Sequence, residues 1–126
     1  MNTETPNNNK LTGQKGEELA INFLEKKGYK ILDTNFVSGK YEIDLISEFQ
    51  NKLVFIEVKT RHNAKVEPEF AVNRSKQQHI ARAAEGYMRL KKLKQEIRFD
   101  IIAINHGNGQ TEIIHFEDAF YPIYYK

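Results

Sequence analysis

Four charged residues interrupt two runs that otherwise read as β-strands. In "KYEIDLISEFQNKLVFIEVKTR", residues 40–61, Glu42 and Asp44 lie in the first run, and Glu57 and Lys59 in the second. Strand side chains alternate between faces, so Leu53, Phe55, Glu57 and Lys59 share one face and Val54, Ile56 and Val58 the other. Both faces begin apolar, which predicts a central strand covered on both sides, with Glu57 and Lys59 emerging at one end of a buried face. In the first run Glu42 and Asp44 share a face, with Ile43 and Leu45 opposite.

A hairpin turning about Gln50 and Asn51 sets Asp44 opposite Glu57, and Glu42 opposite Lys59. Directly opposed residues lie roughly 5 Å apart at Cβ. Two partly buried carboxylates at that distance need a proton or a cation between them. Paired hard oxygens suit Mg²⁺ or Mn²⁺, completed by water and a substrate phosphate, with the Val58 carbonyl as a further ligand. Lys59, two residues from a metal carboxylate, can stabilise or help to deprotonate an attacking water. Such a set has the parts that phosphodiester hydrolysis requires. Register decides the matter, since a slip of one residue would put the carboxylates on opposite faces. The alternative is architectural: a cross-strand Glu42–Lys59 salt bridge, with Asp44 at an exposed edge.

The elements that must position these residues follow from periodicity. Apolar residues from Leu11 to Lys27 recur at helical spacing, with Thr12 as N-cap and Gly28 as terminator. "YKILDTNFV" reads as a strand before a turn at Ser38-Gly39, residues 41–47 and 53–60 supply the next two, and a loop holding Pro68 follows. A longer helix runs from about Asn73 to Lys94, its buried stripe centred on Ile80 and continued by Ala84, Tyr87 and Leu90, with Arg82 and Arg89 outward. "RFDIIAI" and "TEIIHF" are strands joined by the turn "NHGNGQ". Helix, three strands, helix, two strands predicts a mixed sheet covered by helices on its faces, an α/β or α+β sandwich.

At 126 residues the chain is expected to form one domain over 11–126, behind a disordered lead-in of residues 1–10. No apolar run approaches the roughly 20 residues of a membrane span. The N-terminal residues lack a secretory pattern, and without cysteine neither disulfides nor zinc–thiolate sites can form. A cytoplasmic location is the expectation. The net charge of +2 conceals an asymmetry: residues 59–98 carry 11 basic and four acidic side chains, whereas both flanking segments are net negative. A basic block beginning at the charged strand suits a polyanion, although a solvated helix face would look the same.

Asp44 followed by Glu57-Val58-Lys59 resembles the PD-(D/E)XK signature of restriction-endonuclease-like nucleases. "GQKGEELAINFLEKKGYKIL", "EIDLI", "LVFIEVKTR", the Lys76–Tyr87 helix and "RFDIIAI" together resemble the YraN-type family of uncharacterised bacterial proteins, a branch similar to archaeal Holliday-junction resolvases. The likeness runs from about Gly13 to Ile104. It implies a restriction-endonuclease-like mixed sheet flanked by helices, Asp44 and Glu57 as metal ligands, Lys59 as catalytic assistant, and DNA, branched or structured, as substrate. Glu17 matches an acidic residue that joins the site in resolvase-like relatives, with Glu18 as the adjacent alternative. The resolvase analogy also implies a homodimer. Tyr41 departs from the family, which usually has Gly before Glu-Ile-Asp, so access or turn geometry beside the site should differ. A non-catalytic nucleic-acid-binding module on the same fold is the rival reading.

Substrate contacts are expected from Lys76 and Gln77, at a helix N-terminus where backbone N–H groups also favour phosphate, and from Arg61 and Lys65 on backbone phosphates. His62, His79, His106 and His115 show no metal-ligand spacing, and Gly107–Gly109 is a hairpin turn rather than a phosphate loop. Tyr121, Tyr124 and Tyr125 suit core packing or an interface better than base stacking.

Overall fold

A computed structural model describes residues 13–62 and 73–121. The lead-in, the Thr12 cap, Lys65, Pro68, Tyr124 and Tyr125 lie outside them. Helix α1 (Gly13–Lys26) is followed by β1 (Lys30–Ser38), β2 (Tyr41–Phe49), β3 (Lys52–His62), helix α2 (Arg74–Lys91), β4 (Glu96–Gly107) and β5 (Gln110–Phe116). The five strands form one sheet in sequence order. All pairs are antiparallel except β3–β4, which α2 connects in parallel. This is the mixed α+β sandwich expected from the pattern of elements.

Local chemistry sets the boundaries. α1 stops because Gly28 takes φ 98°, and Tyr29 N–H then closes the turn on the Leu24 carbonyl at 3.0 Å. Gln50 and Asn51, with φ 52° and 68°, make the tight left-handed turn that matches the twist of a hairpin. Asn73 caps α2, its Oδ1 accepting from Lys76 N–H at 2.8 Å. The helix ends at Lys91, short of Lys94, because Lys92 enters the left-handed region.

Alternation along the strands divides the core into two layers. Leu53, Phe55, Phe99 and Ile101 pack under α2 against Ile80, Ala83, Ala84 and Tyr87. Val54, Ile56, Ile102 and Ile104 pack under α1 against Ala20 and Leu24. β3 is therefore covered on both faces, and Phe55 and Ile56 are each 1% exposed. Leu90 leaves the expected stripe and is 66% exposed: it lies about 80° around the helix from Ile80, in the last turn. The segment after β5 returns to the core through Phe120, stacked on Phe99 at 5.2 Å, whereas Tyr121 is exposed. No helix among the described residues is long and apolar enough to cross a membrane.

Candidate active site

β2 and β3 pair from Phe49↔Lys52 to Leu45↔Ile56, and the pairing ends there. Both strands continue. β2 stays with β1 as far as Ser38↔Tyr41, and β3 stays with β4 as far as His62↔His106. The two strands thus diverge into a fork, with Asp44 on one arm and Glu57, Val58 and Lys59 on the other. The register is the one the symmetric hairpin predicts, but the ladder stops one residue short of an Asp44–Glu57 pair. Glu42 and Lys59 form no backbone pair at all.

Asp44 bridges the fork with its side chain. Its Oδ2 accepts the Val58 N–H at 2.8 Å, taking the place a β2 carbonyl would occupy. A strand residue directs its N–H and C=O to the same neighbour, so the Val58 carbonyl also faces the β2 side. Strict alternation fails beside this point: Ile43 packs under α2 and Leu45 under α1, although the sequence pattern puts them on one face.

Glu57 is 5% exposed. Its Oε2 meets Lys76 Nζ at 2.9 Å, and its Oε1 has no hydrogen-bond partner among the described residues. Lys76 reaches it because α2 begins beyond the end of β3 and folds back over that face. Lys76 also lies one turn before Ile80, on the side turned to the sheet. The ion pair that forms is therefore Lys76–Glu57 and not Glu42–Lys59, and Asp44 sits on an interior strand rather than an exposed edge.

Electrostatics mark the carboxylates as strained. Burial pushes the Asp44 carboxyl up, and Glu42 adds to this against the Val58 N–H, Lys76 and Lys59. Burial and then the charge of Asp44 push Glu57 up, with Lys76 and Lys59 opposing. Lys76 is itself held above its ordinary value, first by its hydrogen bond to Glu57. Even with two lysines in reach, the pair lacks enough positive charge.

Glu17, and not the exposed Glu18, turns toward this region. Its Oε1 accepts from Asn35 Nδ2 at 3.0 Å, and its carboxyl is raised by burial first and also by Asp44 and Glu42. Asn35 makes this contact from φ 51° on β1. No feature of the sequence had singled it out. Among the described residues no group of three or more His, Cys, Asp or Glu side chains could hold a metal ion, so Glu17 completes no three-carboxylate set. What fits a hard cation is smaller: the buried Glu57 oxygen that has no partner among the described residues, the carboxylate of Asp44, and the Val58 carbonyl, with water for the remaining positions.

Arg61 lies inside β3 rather than beyond it, with Nη1 on the Thr60 carbonyl at 3.2 Å. Gln77 is in the first turn of α2, beside Lys76. Tyr41, where the resemblance leads us to expect Gly, stacks on His79 at 4.3 Å between ring centroids and ties the start of β2 to α2. Lys59 is half-buried on β3, opposite Ala103. A polar groove of about 520 Å³ at the β4–β5 hairpin, lined by Asn105 and Gln110 among others, contains none of these residues.

The sheet's other face holds a second polar cluster that sequence reasoning missed. Asp100 is fully buried and accepts from Arg98 Nε at 2.9 Å, Arg98 Nη2 at 2.8 Å and Asp118 N–H at 2.9 Å. His115 Nε2 joins it at 2.7 Å. Arg98 also donates to the Tyr29 hydroxyl at 2.6 Å. Lys27 Nζ lies 2.8 Å from His115 Nδ1, so Nδ1 accepts and Nε2 carries the hydrogen toward Asp100. Every lone pair of Asp100 is used, which marks the cluster as architecture.

The model of uncharacterised protein family UPF0102 matches residues 16–104, a span that holds Glu17, Asp44, Glu57, Lys59 and Lys76. The UPF0102 protein of Flavobacterium psychrophilum is 46% identical over 110 residues, which cover 86% of this chain and 92% of that one. That of Bacteroides thetaiotaomicron is 41% identical, covering 87% and 92%. A Clostridium perfringens relative is 43% identical, covering 89% and 95%.

Proposed function

The chain belongs to uncharacterised protein family UPF0102, and from that premise and the forked strands we propose that it is a metal-dependent endonuclease of the PD-(D/E)XK type, hydrolysing phosphodiester bonds of branched or structured DNA. The observation that carries this reading is the buried Glu57 Oε1, a carboxylate oxygen without a hydrogen-bond partner among the described residues, beside the second carboxylate, Asp44. A purely architectural carboxylate is saturated, as Asp100 is; an unsaturated one at the mouth of a strand fork is built for a ligand.

Asp44, Glu57 and the Val58 carbonyl would hold Mg²⁺ or Mn²⁺. The bound ion would polarise the phosphate and lower the pKa of the attacking water. Val58 N–H fixes the rotamer of Asp44, and the core under Phe55 and Ile101 fixes Glu57. Lys59, projecting from the same face of β3 as Glu57, orients the water and stabilises the developing hydroxide with its ammonium as the water attacks phosphorus in line, the water's proton passing to solvent. The leaving oxygen departs on the opposite side and takes up a proton from solvent. Glu17, held by Asn35, adds negative charge near Asp44, which strengthens the site's demand for a cation. Arg61, Lys76 and Gln77 line the approach and contact backbone phosphates, with Lys65 expected to do the same.

One observation favours a non-catalytic nucleic-acid-binding module: Glu57 already has a lysine on Oε2, as a structural ion pair would. Both readings are tested by incubating labelled single-stranded, duplex, flap and four-way-junction DNA with Mg²⁺ or Mn²⁺ and wild-type, Asp44→Ala, Glu57→Ala or Lys59→Ala protein. The nuclease reading expects cleavage that EDTA stops and that all three substitutions abolish. Retention of DNA by a wild type that cuts nothing supports the binding module. Neither cleavage nor binding removes both.

A further inference from the structure

The two oxygens of Glu57 have different fates, and the difference assigns a task to Lys76. Oε2 is matched by an ammonium and Oε1 by nothing among the described residues. We infer that Lys76 is a resident counter-ion of the carboxylate pair, yielding Glu57 to a divalent cation and then presenting its freed ammonium to the substrate phosphate. This deepens the metal-dependent reading above and rests on it.

Three features carry the inference. The first is an asymmetry of mobility. The Glu57 side chain is 5% exposed and the Lys76 side chain 43%, so only Lys76 has solvent to retreat into when the pair opens. The Lys76 backbone need not move, because Asn73 Oδ1 holds its N–H in the first turn of α2; the flexible stem does the swinging.

The second is charge. One ammonium meets one oxygen of Glu57, whereas Asp44 is met at hydrogen-bond distance by the neutral Val58 N–H. Lys76 therefore pairs with one carboxylate of the two, and a doubly charged ion that reaches both is the stronger competitor. Its attraction for the ammonium's place grows because the second carboxylate gains as well.

The third is placement. Lys76 and Glu57 stand on different elements, the start of α2 and the middle of β3 just past its last pair with β2, so their contact lies where the fork opens. A released Lys76 lies in the first turn of α2 beside Gln77, at the positive end of the helix dipole, which favours a phosphate. Cation entry and phosphate capture would thereby be ordered: Lys76 is withheld from substrate until Glu57 is taken by metal.

The test is calorimetric titration of Mn²⁺ into the full chain, without DNA, for wild type, Lys76→Met and Lys76→Arg. Neighbouring groups change metal affinity by about 10–100-fold, and removal of a competing charge should tighten Mn²⁺ binding by about tenfold in Lys76→Met. Lys76→Arg should bind no more tightly than wild type. Unchanged or weaker binding by Lys76→Met would make Lys76 a fixed partner that keeps Glu57 ionised, and overturns the proposal. Should that variant not fold, the ammonium resonance of Lys76 in the wild type decides: it shifts as Mg²⁺ is added if the ion pair opens, and a resonance that stays put is fatal. Tightened binding in a protein that cuts no DNA would remove the nuclease reading and leave the counter-ion in place. No Mn²⁺ binding by any variant removes both.

Discussion

Asp44 Oδ2 accepts the Val58 N–H at 2.8 Å, one step beyond the last backbone pair between β2 and β3. A carboxylate here does the work of a main-chain carbonyl, so the strands can part without stranding a buried donor. The same contact places a charge in a partly buried site where it is held above its ordinary ionisation range. Structure and chemistry are in tension at this residue, and its substitution should separate them.

Asp44→Asn keeps an acceptor for Val58 N–H and removes the charge. Because folding raises the carboxyl, the native protein binds protons more readily than the unfolded chain, and stability falls as pH rises through the raised value. Asp44→Asn should therefore be more stable than wild type at about pH 8, by roughly 0.5–2 kcal/mol, with the gain fading toward acid pH as the wild-type carboxyl takes its proton. Urea unfolding in EDTA at both ends of that range measures it. A variant less stable at alkaline pH would show that Asp44 is structural first.

Asp100 has the opposite sign. Burial alone would raise its carboxyl, but hydrogen bonds from His115, Arg98 and the Asp118 N–H, together with the Arg98 charge, outweigh it and hold the group below its ordinary value. A lowered value gives stability that is complete above the unfolded carboxyl's titration and is lost as pH falls through the native one. Acid unfolding of the wild type should draw on this residue. Asp100→Asn leaves Arg98 and its neighbours facing a neutral amide and should cost about 3–5 kcal/mol at neutral pH. Its stability should also depend less on pH at the acid end. Chemical denaturation at neutral and acid pH checks both statements.

Gly16 tests the closeness of α1 to the sheet. A Cβ there would lie 2.6 Å from Thr60 Oγ1, with Ile104 Cδ1 next at 3.7 Å. Gly16→Ala should destabilise by about 1–3 kcal/mol through overpacking. Since the offending atom is a single oxygen, Thr60→Ala in the same chain should restore most of the loss, whereas Thr60→Val, which keeps an atom in that place, should not. Thermal melts of the single and double variants decide; equal behaviour of the two doubles would place the clash elsewhere.

How much of this was readable in the chain depends on the range of the interaction. Period-two and helical patterns are local, so the order of elements, the central position of β3 and the Gln50-Asn51 turn could all be read directly. So could the hairpin register, since the turn determines it. The fork could not: nothing between Glu42 and Lys59 announces that pairing ends at Leu45↔Ile56, because the cause is a side chain bonding across the gap. Lys76 was legible as a residue near the site but not as the ion partner of Glu57, which requires knowing how α2 is laid over β3. Arg98 and Asp100 carried the same signal as Glu57 and Lys59, two charges at i and i+2 in an apolar strand. Their role stayed hidden because His115, Tyr29 and Lys27 converge on them from three distant segments. The unusual φ of Asn35 left no trace in composition at all.

The basic segment supplies the last prediction. Residues 59–98 carry 11 basic and four acidic side chains, against a net charge of +2 for the whole chain, but only some of the segment's described residues face the fork. Arg61 lies on β3 two residues beyond Lys59, and alternation puts it on the same face as Glu57. Arg82 is exposed on the side of α2 turned away from the sheet. If DNA lies across the fork, its affinity falls linearly with the logarithm of salt concentration, at about 0.9 per phosphate neutralised for a duplex. Arg61→Ala should lower that slope by about 1, while Arg82→Ala should leave it unchanged. Fluorescence anisotropy of labelled DNA against salt, with Ca²⁺ in place of Mg²⁺ to prevent cleavage, reads the slope directly. Equal losses from both arginines would mean that the charge acts as a diffuse field. A loss from Arg82 alone would move the nucleic acid to the outer face of α2, away from Asp44 and Glu57, and would sever binding from the proposed chemistry.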